Sequence, residues 1–211
     1  ALNVIDGAIP NVALPTIARD LGVDPSTAVM IVSVYQLVLV MTLLPFSALG
    51  AHIGLRRLYQ CGQCVFILSA MLCFFAPDLP LLLAARTLQA LGAAAALSVS
   101  SALVRSIYPD SQLGRGLGIN SVVVASAAAL SPILGGFIVA AVDWPWVFVA
   151  TVPLGLLSLT VGARSLPDLP SRPGRYDLRG AVLCALTFGL SISGLLALAQ
   201  GYPVNNSLAL V

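Results

Sequence analysis

Two ionisable side chains stand inside long apolar segments of the sequence. Asp6 lies in the run that starts at residue 1, and Arg86 lies in the stretch from Pro80 to Val104. A charge in the bilayer core costs about 3 kcal/mol on insertion scales, so such groups usually face a bundle interior or a watery cavity and mark proton or ion pathways. Since a carboxylate can hold a proton or a cation, we expect Asp6 and Arg86 to form a site that switches between proton and cation occupancy. Gln89 shares a helix face with Arg86, and we assign it to the same site.

Each charge also has a simpler interpretation. Arg86 lies about 9 Å from Pro80 along the helix axis, so its long side chain is able to reach the outer interface. Asp6 is alternatively an aspartate at the cytoplasmic end of its helix. By rise per residue Asp6 lies about 18 Å from Ala18. The two charges are therefore at different predicted depths, and an ion pair requires helix tilt or a proline kink.

Polar residues near these charges are candidates for the wall of a cavity. Asn11 lies on the first segment, and Tyr35 and Gln36 lie on the second. The alternative is that they hydrogen-bond to neighbouring helices. Small residues also recur at a spacing of four, which allows helix backbones to approach closely. The two stripes are Gly92, Ala96 and Ser100, and Ala128, Pro132, Gly136 and Ala140.

The elements that carry these residues are predicted to be membrane helices. The 211-residue chain is 59% hydrophobic and 9% charged, with a mean hydropathy of +1.00, whereas soluble domains are about a quarter charged. Since about 20 apolar residues in a helix cross the hydrocarbon core, we predict an all-α integral membrane protein with seven spans. They run from 1 to 18, 28 to 50, 58 to 76, 80 to 104, 117 to 141, 145 to 163 and 179 to 199.

The arginines predict the orientation of these spans. Basic flanks are retained in the cytoplasm, so the side with eight arginines is predicted to be cytoplasmic and the side with Arg19 to be outside, in a cell (inner) membrane. The eight are Arg56, Arg57, Arg105, Arg115, Arg164, Arg172, Arg175 and Arg179. A net charge of +2 does not indicate a nucleic-acid partner. The odd number of spans predicts a fragment of a longer protein.

Four motifs, in order, resemble those of a known family. Residues 2–17 (LNVIDGAIPNVALPTI) resemble the first-helix signature of the fourteen-helix drug:proton antiporters of the major facilitator superfamily. Residues 86–92 (RTLQALG) resemble the fourth-helix motif of that family, and residues 131–136 (SPILGG) resemble its fifth-helix antiporter motif. Residues 144–155 (WPWVFVATVPLG) are similar to the entry of its sixth helix. The resemblance spans nearly the whole chain.

The resemblance implies an architecture and a function. Residues 1–163 correspond to the N-terminal six-helix domain, residues 164–178 to a cytoplasmic linker, and residues 179–211 to a seventh helix and an outside tail. The partner of this chain would be a C-terminal half. Together they would work by alternating access as a proton-coupled multidrug efflux transporter that exchanges small molecules, often lipophilic cations, for protons. The alternative is a transporter of the same fold for an endogenous metabolite.

The resemblance also assigns roles to particular residues. Arg86 corresponds to the fourth-helix arginine that is implicated in proton coupling. The antiporter motif comprises Ser131, Pro132, Gly135 and Gly136. The gating loop between helices two and three comprises Gly54, Arg56 and Arg57. Ala51 stands where the family usually carries an acid, so the charge network of that loop departs from the family pattern.

Enzymatic chemistry finds little support in the sequence. Cys61 and Cys64 have the spacing of a redox pair, but they lie on the predicted cytoplasmic side, where thiols stay reduced. We expect them to be packing residues, and a membrane thiol redox protein is the remaining alternative. His52 is the sole histidine, which disfavours a zinc site. It lies in a predicted loop, so no Ser-His-Asp set can be assembled inside the membrane. We therefore expect no enzyme activity, metal or cofactor.

Overall fold

The structure, a computed structural model, describes residues 2–167 and 177–199. The described residues form α-helices and one short 3₁₀-helix, without strands. The helices are α1 (Leu2–Asp20), α2 (Pro25–Ala28), α3 (Met30–Ile53), α4 (Leu55–Phe74), α5 (Leu79–Ile107), α6 (Leu113–Ala141), α7 (Trp146–Val149), α8 (Val152–Ser165) and α9 (Leu178–Ala199). The linker arginines Arg172 and Arg175 and the predicted outside tail from residue 200 lie outside the described residues.

The fold is that of an all-α integral membrane protein, as predicted. Five helical stretches in the described residues are long and apolar enough to cross a membrane: Pro25–Ile53, Leu55–Phe74, Leu79–Ile107, Leu113–Ala141 and Trp146–Ser165. The first predicted span corresponds to α1, which is less apolar because it carries asparagines, prolines and Asp6. The seventh corresponds to α9, of which Arg179–Gly194 is a shorter apolar helix.

Three predicted boundaries were wrong in detail. The loop predicted from Ala51 to Arg57 is reduced to Gly54, whose φ of 100° is a conformation that favours glycine. The predicted outer loop from Asp20 to Thr27 contains most of α2. The predicted sixth span is divided into α7 and α8, because Pro153 starts a new helix and lacks the N–H needed to continue the old one.

The buried core is layered along the helix axes. At the predicted outer end, Ile17 of α1 and Leu82 of α5 pack with Trp144 and Phe148. Trp144 also donates a hydrogen bond of 2.6 Å from Nε1 to Oδ2 of Asp20, which ties the end of α1 to the segment before α7. The layers nearer the other end contain Phe66 and Ala93, then Leu58 and Val99.

Helices α4 and α5 cross at a pair of glycines. A Cβ atom on Gly92 would lie 2.6 Å from the backbone nitrogen of Phe66, and one on Gly62 would lie 2.8 Å from the carbonyl oxygen of Gly92. No real Cβ makes such contacts, so the two backbones can meet here only because both residues lack a side chain. The predicted stripe of small residues on the fourth span therefore serves close packing at Gly92.

The second predicted stripe was wrong by one position. Ala128, Pro132 and Ala140 are exposed on α6. The face of α6 that packs on α1 instead contains Ala127, Ser131 and Gly135, which are buried. Both sets have a spacing of four, so spacing alone could not distinguish faces that are about 100° apart on a helix.

We expect Gly92→Val to destabilise the protein by about 1–3 kcal/mol, because the added side chain has no space against the Phe66 backbone. Gly118→Val is the matched control, since a Cβ on Gly118 meets nothing within 4 Å and the change in helix propensity is the same. Thermal unfolding of the detergent-solubilised protein measures both. Equal melting temperatures for the two variants would contradict the tight crossing.

Candidate functional site

The two buried charges and Gln89 form one hydrogen-bonded cluster. Arg86 Nη1 lies 3.0 Å from Asp6 Oδ2 and 2.8 Å from Gln89 Oε1. Gln89 Nε2 donates to the other carboxylate oxygen, Asp6 Oδ1, at 2.8 Å. Each member thus contacts the other two, and we call Asp6, Arg86 and Gln89 the coupling cluster. All three are buried, with Arg86 and Gln89 at 0% exposure.

Aromatic rings enclose the arginine. The guanidinium carbon lies 4.1 Å from the centroid of the Tyr35 ring and 5.3 Å from that of Phe148. Such placement over ring faces stabilises a cation in a dry environment. Arg86 Nε also lies 3.5 Å from the carbonyl oxygen of Ile31. The interpretation of Arg86 as a side chain that reaches the outer interface was therefore wrong.

The predicted difference in depth between Asp6 and Arg86 was also wrong. That estimate assumed that both helices run along the membrane normal and that Ala18 and Pro80 are level. In the structure the side chains of Asp6 and Arg86 meet directly. Counting residues along two separate helices gives no information on their tilt or relative shift. The sequence alone therefore did not determine whether Asp6 and Arg86 form an ion pair.

The coupling cluster joins two groups of helices. The backbone of α1 packs mainly on α6, and that of α5 packs mainly on α3 and α4. Asp6 comes from α1, whereas Arg86 and Gln89 come from α5. A second bond, from Asn3 Nδ2 to the carbonyl oxygen of Ala93 at 3.2 Å, also links α1 to α5. The cluster is thus both a charge site and a structural bridge.

A cavity of about 750 Å³ lies beside the cluster. The three residues predicted to line a cavity, Asn11, Tyr35 and Gln36, all lie on its wall. None of the cluster residues does, because Tyr35 lies between them and the cavity. The Tyr35 hydroxyl is buried and makes no hydrogen bond in the described residues. Tyr35 is therefore the contact point between cluster and cavity.

Sequence reasoning missed several residues of the site. Tyr59 and Gln63 of α4 line the cavity, as do Asn120 of α6 and Ser158 of α8. Tyr59 and Gln63 are four residues apart in a membrane span and so share a helix face. That spacing was a usable signal of a polar helix face, which the neighbouring cysteines obscured. Phe148 gave no such signal, since an aromatic residue in a membrane span is ordinary.

The residues of the fifth-helix motif have different environments. Ser131 is buried and donates to the carbonyl oxygen of Ala127 at 2.6 Å. Gly135 is packed on α1, where an added Cβ would lie 3.1 Å from the carbonyl oxygen of Ile9. Pro132 is exposed, and a Cβ on Gly136 would meet nothing within 4 Å. Gly135 therefore allows α6 to pack closely on α1, with Ser131 buried one turn away on the same face of α6, whereas Pro132 and Gly136 lie on another face.

The predicted gating loop is a tight connection between α3 and α4. Gly54 makes the turn, and Arg56 and Arg57 lie in the first turn of α4. The Arg56 guanidinium donates a hydrogen bond to the carbonyl oxygen of Ala163 in α8. Arg57 is exposed. This segment thus ties the start of α4 to the end of α8 and lies apart from the coupling cluster.

The other chemistries considered gain no support from the geometry. Cys61 and Cys64 are free thiols on the exposed surface of α4. In residues 2–167 and 177–199, no group of three or more His, Cys, Asp or Glu side chains is placed to hold a metal ion. The candidate site of this chain is the coupling cluster with its adjoining cavity.

Comparison with known proteins relates this chain to one family of membrane transporters. The model of the Major Facilitator Superfamily matches residues 1–203. An uncharacterised transporter of Escherichia coli K12, YebQ, is 47% identical over 95% of this chain and 44% of its own length. The riboflavin transporter RibZ of Clostridioides difficile is 31% identical over 99% of the chain and 45% of its own length. The multidrug efflux pump LfrA of Mycolicibacterium smegmatis is 34% identical over 88% of the chain and 37% of its own length. The chain spans less than half the length of these relatives.

We expect Arg86→Leu to destabilise the protein by about 3–5 kcal/mol, because it leaves the Asp6 carboxylate buried and unpaired. The double variant Asp6→Leu with Arg86→Leu should recover most of that loss, since it buries no charge. Thermal unfolding in detergent of the two single variants and the double variant measures the coupling. Strictly additive losses would show that the ion pair does not carry the stability assigned to it.

Proposed function

Because the chain belongs to the Major Facilitator Superfamily, we propose that it forms part of a transporter that exports small molecules in exchange for protons. The transporter would lie in the cell (inner) membrane and contain a C-terminal half in addition to this chain. The relative LfrA, which is named a multidrug efflux pump, supports export, and a buried carboxylate beside a large cavity supports coupling to protons. The single observation that carries the proposal is the Asp6–Arg86 pair.

Asp6 is the proton carrier in this proposal. Its carboxylate has two partners, Arg86 and Gln89, on its two oxygens. When Asp6 takes up a proton its charge is lost, and the attraction to Arg86 weakens. Gln89 keeps the arginine in place in that state, because its Oε1 already accepts from the same Nη1 atom. Protonation would therefore loosen the bridge between α1 and α5, while the Arg86 side chain stays bonded to Gln89.

Tyr35 couples the cavity to the cluster in this mechanism. Its ring contacts Arg86 on one side, and the residue lines the cavity on the other. A molecule that enters the cavity must displace or pack against this ring. Alternating access would then follow from rocking of the helical bundles about the midplane, as in transporters built from repeats.

The fifth-helix motif and the gating segment have supporting roles in the proposal. Ser131 and Gly135 would keep the packing of α6 on α1 close and smooth during rocking, and Pro132 and Gly136 would line the neighbouring face. At the other end, Gly54, Arg56 and Arg57 would control closure at the cytoplasmic surface.

A second candidate function is transport of an endogenous metabolite. RibZ, which is named a riboflavin transporter, matches 99% of this chain. Riboflavin carries no charge at neutral pH, and the described part of the cavity wall has no acidic or basic side chain. Metabolite transport would use the same fold and the same cavity as drug export, and only the transported molecule would differ.

We expect Asp6→Asn to abolish efflux driven by a pH gradient, since the amide cannot carry a proton. Downhill exchange of substrate should persist, because the cavity wall is unchanged. The control is Asp24→Asn, an exposed aspartate ahead of α2. Everted vesicles that contain the complete transporter, with expression levels matched, measure both activities. Unchanged pH-driven efflux in Asp6→Asn would reject the proton role.

We expect Arg86→Lys to lower pH-driven efflux about tenfold with little change in expression. Lysine keeps the charge but lacks the planar guanidinium group that stacks on the Tyr35 ring. The same vesicle assay compares Arg86→Lys with Arg86→Leu, which should be inactive. Normal transport by Arg86→Leu would show that the arginine is not part of the coupling site.

A further inference from the structure

The cavity has a second polar cluster that the coupling mechanism does not use. Tyr59 Oη and Ser158 Oγ are 2.6 Å apart, and Gln63 Nε2 donates to Tyr59 Oη at 3.3 Å. The three residues come from α4 and α8, and all of them line the cavity. We call them the amide–hydroxyl cluster. Tyr35, which contacts the coupling cluster, comes from a different helix, α3.

One atom of this cluster is buried without a partner. Gln63 is 4% exposed, and its Oε1 accepts no hydrogen bond in the described part of the chain. A buried acceptor in this state is unfavourable until a donor reaches it. Oε1 itself is not accessible from the cavity, but other atoms of Gln63 line the wall. A small rotation of the amide, whose nitrogen donates to Tyr59 at 3.3 Å, would bring Oε1 to the wall, where a bound molecule could donate to it.

The hydroxyl pair offers the complementary group. If Tyr59 donates to Ser158, the hydrogen of Ser158 is left over, and if Ser158 donates, the hydrogen of Tyr59 is left over. In either order one hydroxyl hydrogen remains available for an acceptor. The cluster therefore presents an acceptor and a donor side by side, which matches an amide, an imide or a similar uncharged group.

The rest of the wall is uncharged as well. Among its described residues the polar ones are amides, hydroxyls and tyrosines, and the remainder are small or apolar. The carboxylate of Asp6 is held by Arg86 behind Tyr35 and is not part of the wall. A cation that entered this cavity would lose its hydration and find no opposite charge on this side.

From this geometry we propose that Gln63, Tyr59 and Ser158 bind an uncharged hydrogen-bonding group of the transported molecule, so that this half of the cavity selects neutral polar compounds over lipophilic cations. The proposal rests on the proposed function, because it assumes that the cavity belongs to a transporter. A volume of about 750 Å³ is adequate for a drug-sized molecule of this kind.

The test uses the complete transporter in proteoliposomes with an imposed pH gradient. Four probes are compared: riboflavin and chloramphenicol, which are uncharged and carry N–H and O–H donors, and tetraphenylphosphonium and methyltriphenylphosphonium, which are permanent cations without donors. The variants are Gln63→Leu and Gln63→Glu. Gln60→Leu is the matched control, because Gln60 lies on the same helix but not on the cavity wall.

We expect the wild-type protein to carry at least one uncharged probe in preference to both phosphonium cations. Gln63→Leu should lower that transport about tenfold, and Gln60→Leu should leave it within twofold. Gln63→Glu places a carboxylate on the wall and should raise transport of the cations relative to the uncharged probe. Melting temperatures close to that of the wild type show that the variants are folded.

Two outcomes would overturn the proposal in distinguishable ways. Preferential transport of the phosphonium cations, or equal transport by Gln63→Leu and Gln60→Leu, rejects the amide–hydroxyl cluster but leaves proton-coupled export intact. Failure of the wild-type protein to move any of the four probes along the pH gradient rejects the proposed export function and, with it, this substrate class.

Discussion

The buried ion pair between Asp6 and Arg86 is the constraint on which the rest of this bundle depends. Removing two charges from water costs several kcal/mol per ion, and only close contact with further hydrogen bonds compensates for that cost. The structure provides both, through Gln89, the rings of Tyr35 and Phe148, and the carbonyl oxygen of Ile31. Residues from α1, α3, α5 and α7 must therefore occupy fixed positions around one guanidinium group.

Close backbone packing elsewhere makes that arrangement possible. Gly62 and Gly92 bring α4 and α5 into direct backbone contact, and Gly135 does the same for α6 and α1. In a membrane there is no hydrophobic force between apolar helices, so such close packing contributes much of the attraction between them. These two tight pairs are then joined by the coupling cluster. A change in the charge of the coupling cluster therefore acts on the contact between the α1–α6 pair and the α4–α5 pair. It leaves the packing within each pair unchanged.

The structure separates the buried charges from the neighbouring cavity. Asp6 and Arg86 are shielded by Tyr35, while the cavity wall carries neutral amides and hydroxyls. In the proposed transporter, this separation would allow Asp6 to take up protons without serving as the binding group for the transported molecule.

Composition and the positions of polar residues were enough to predict an all-α membrane protein, the positions of its helices, and the membership of Asp6, Arg86 and Gln89 in one polar site. Those features follow from local physics: the length of an apolar run, and the cost of a charge in lipid. Whether Asp6 and Arg86 touch, which face of α6 packs on α1, and whether Tyr59 and Gln63 reach a cavity were decided only by the tertiary structure. Each depends on how helices tilt, shift and rotate against one another, and a spacing along a single helix contains no information about the helix it meets.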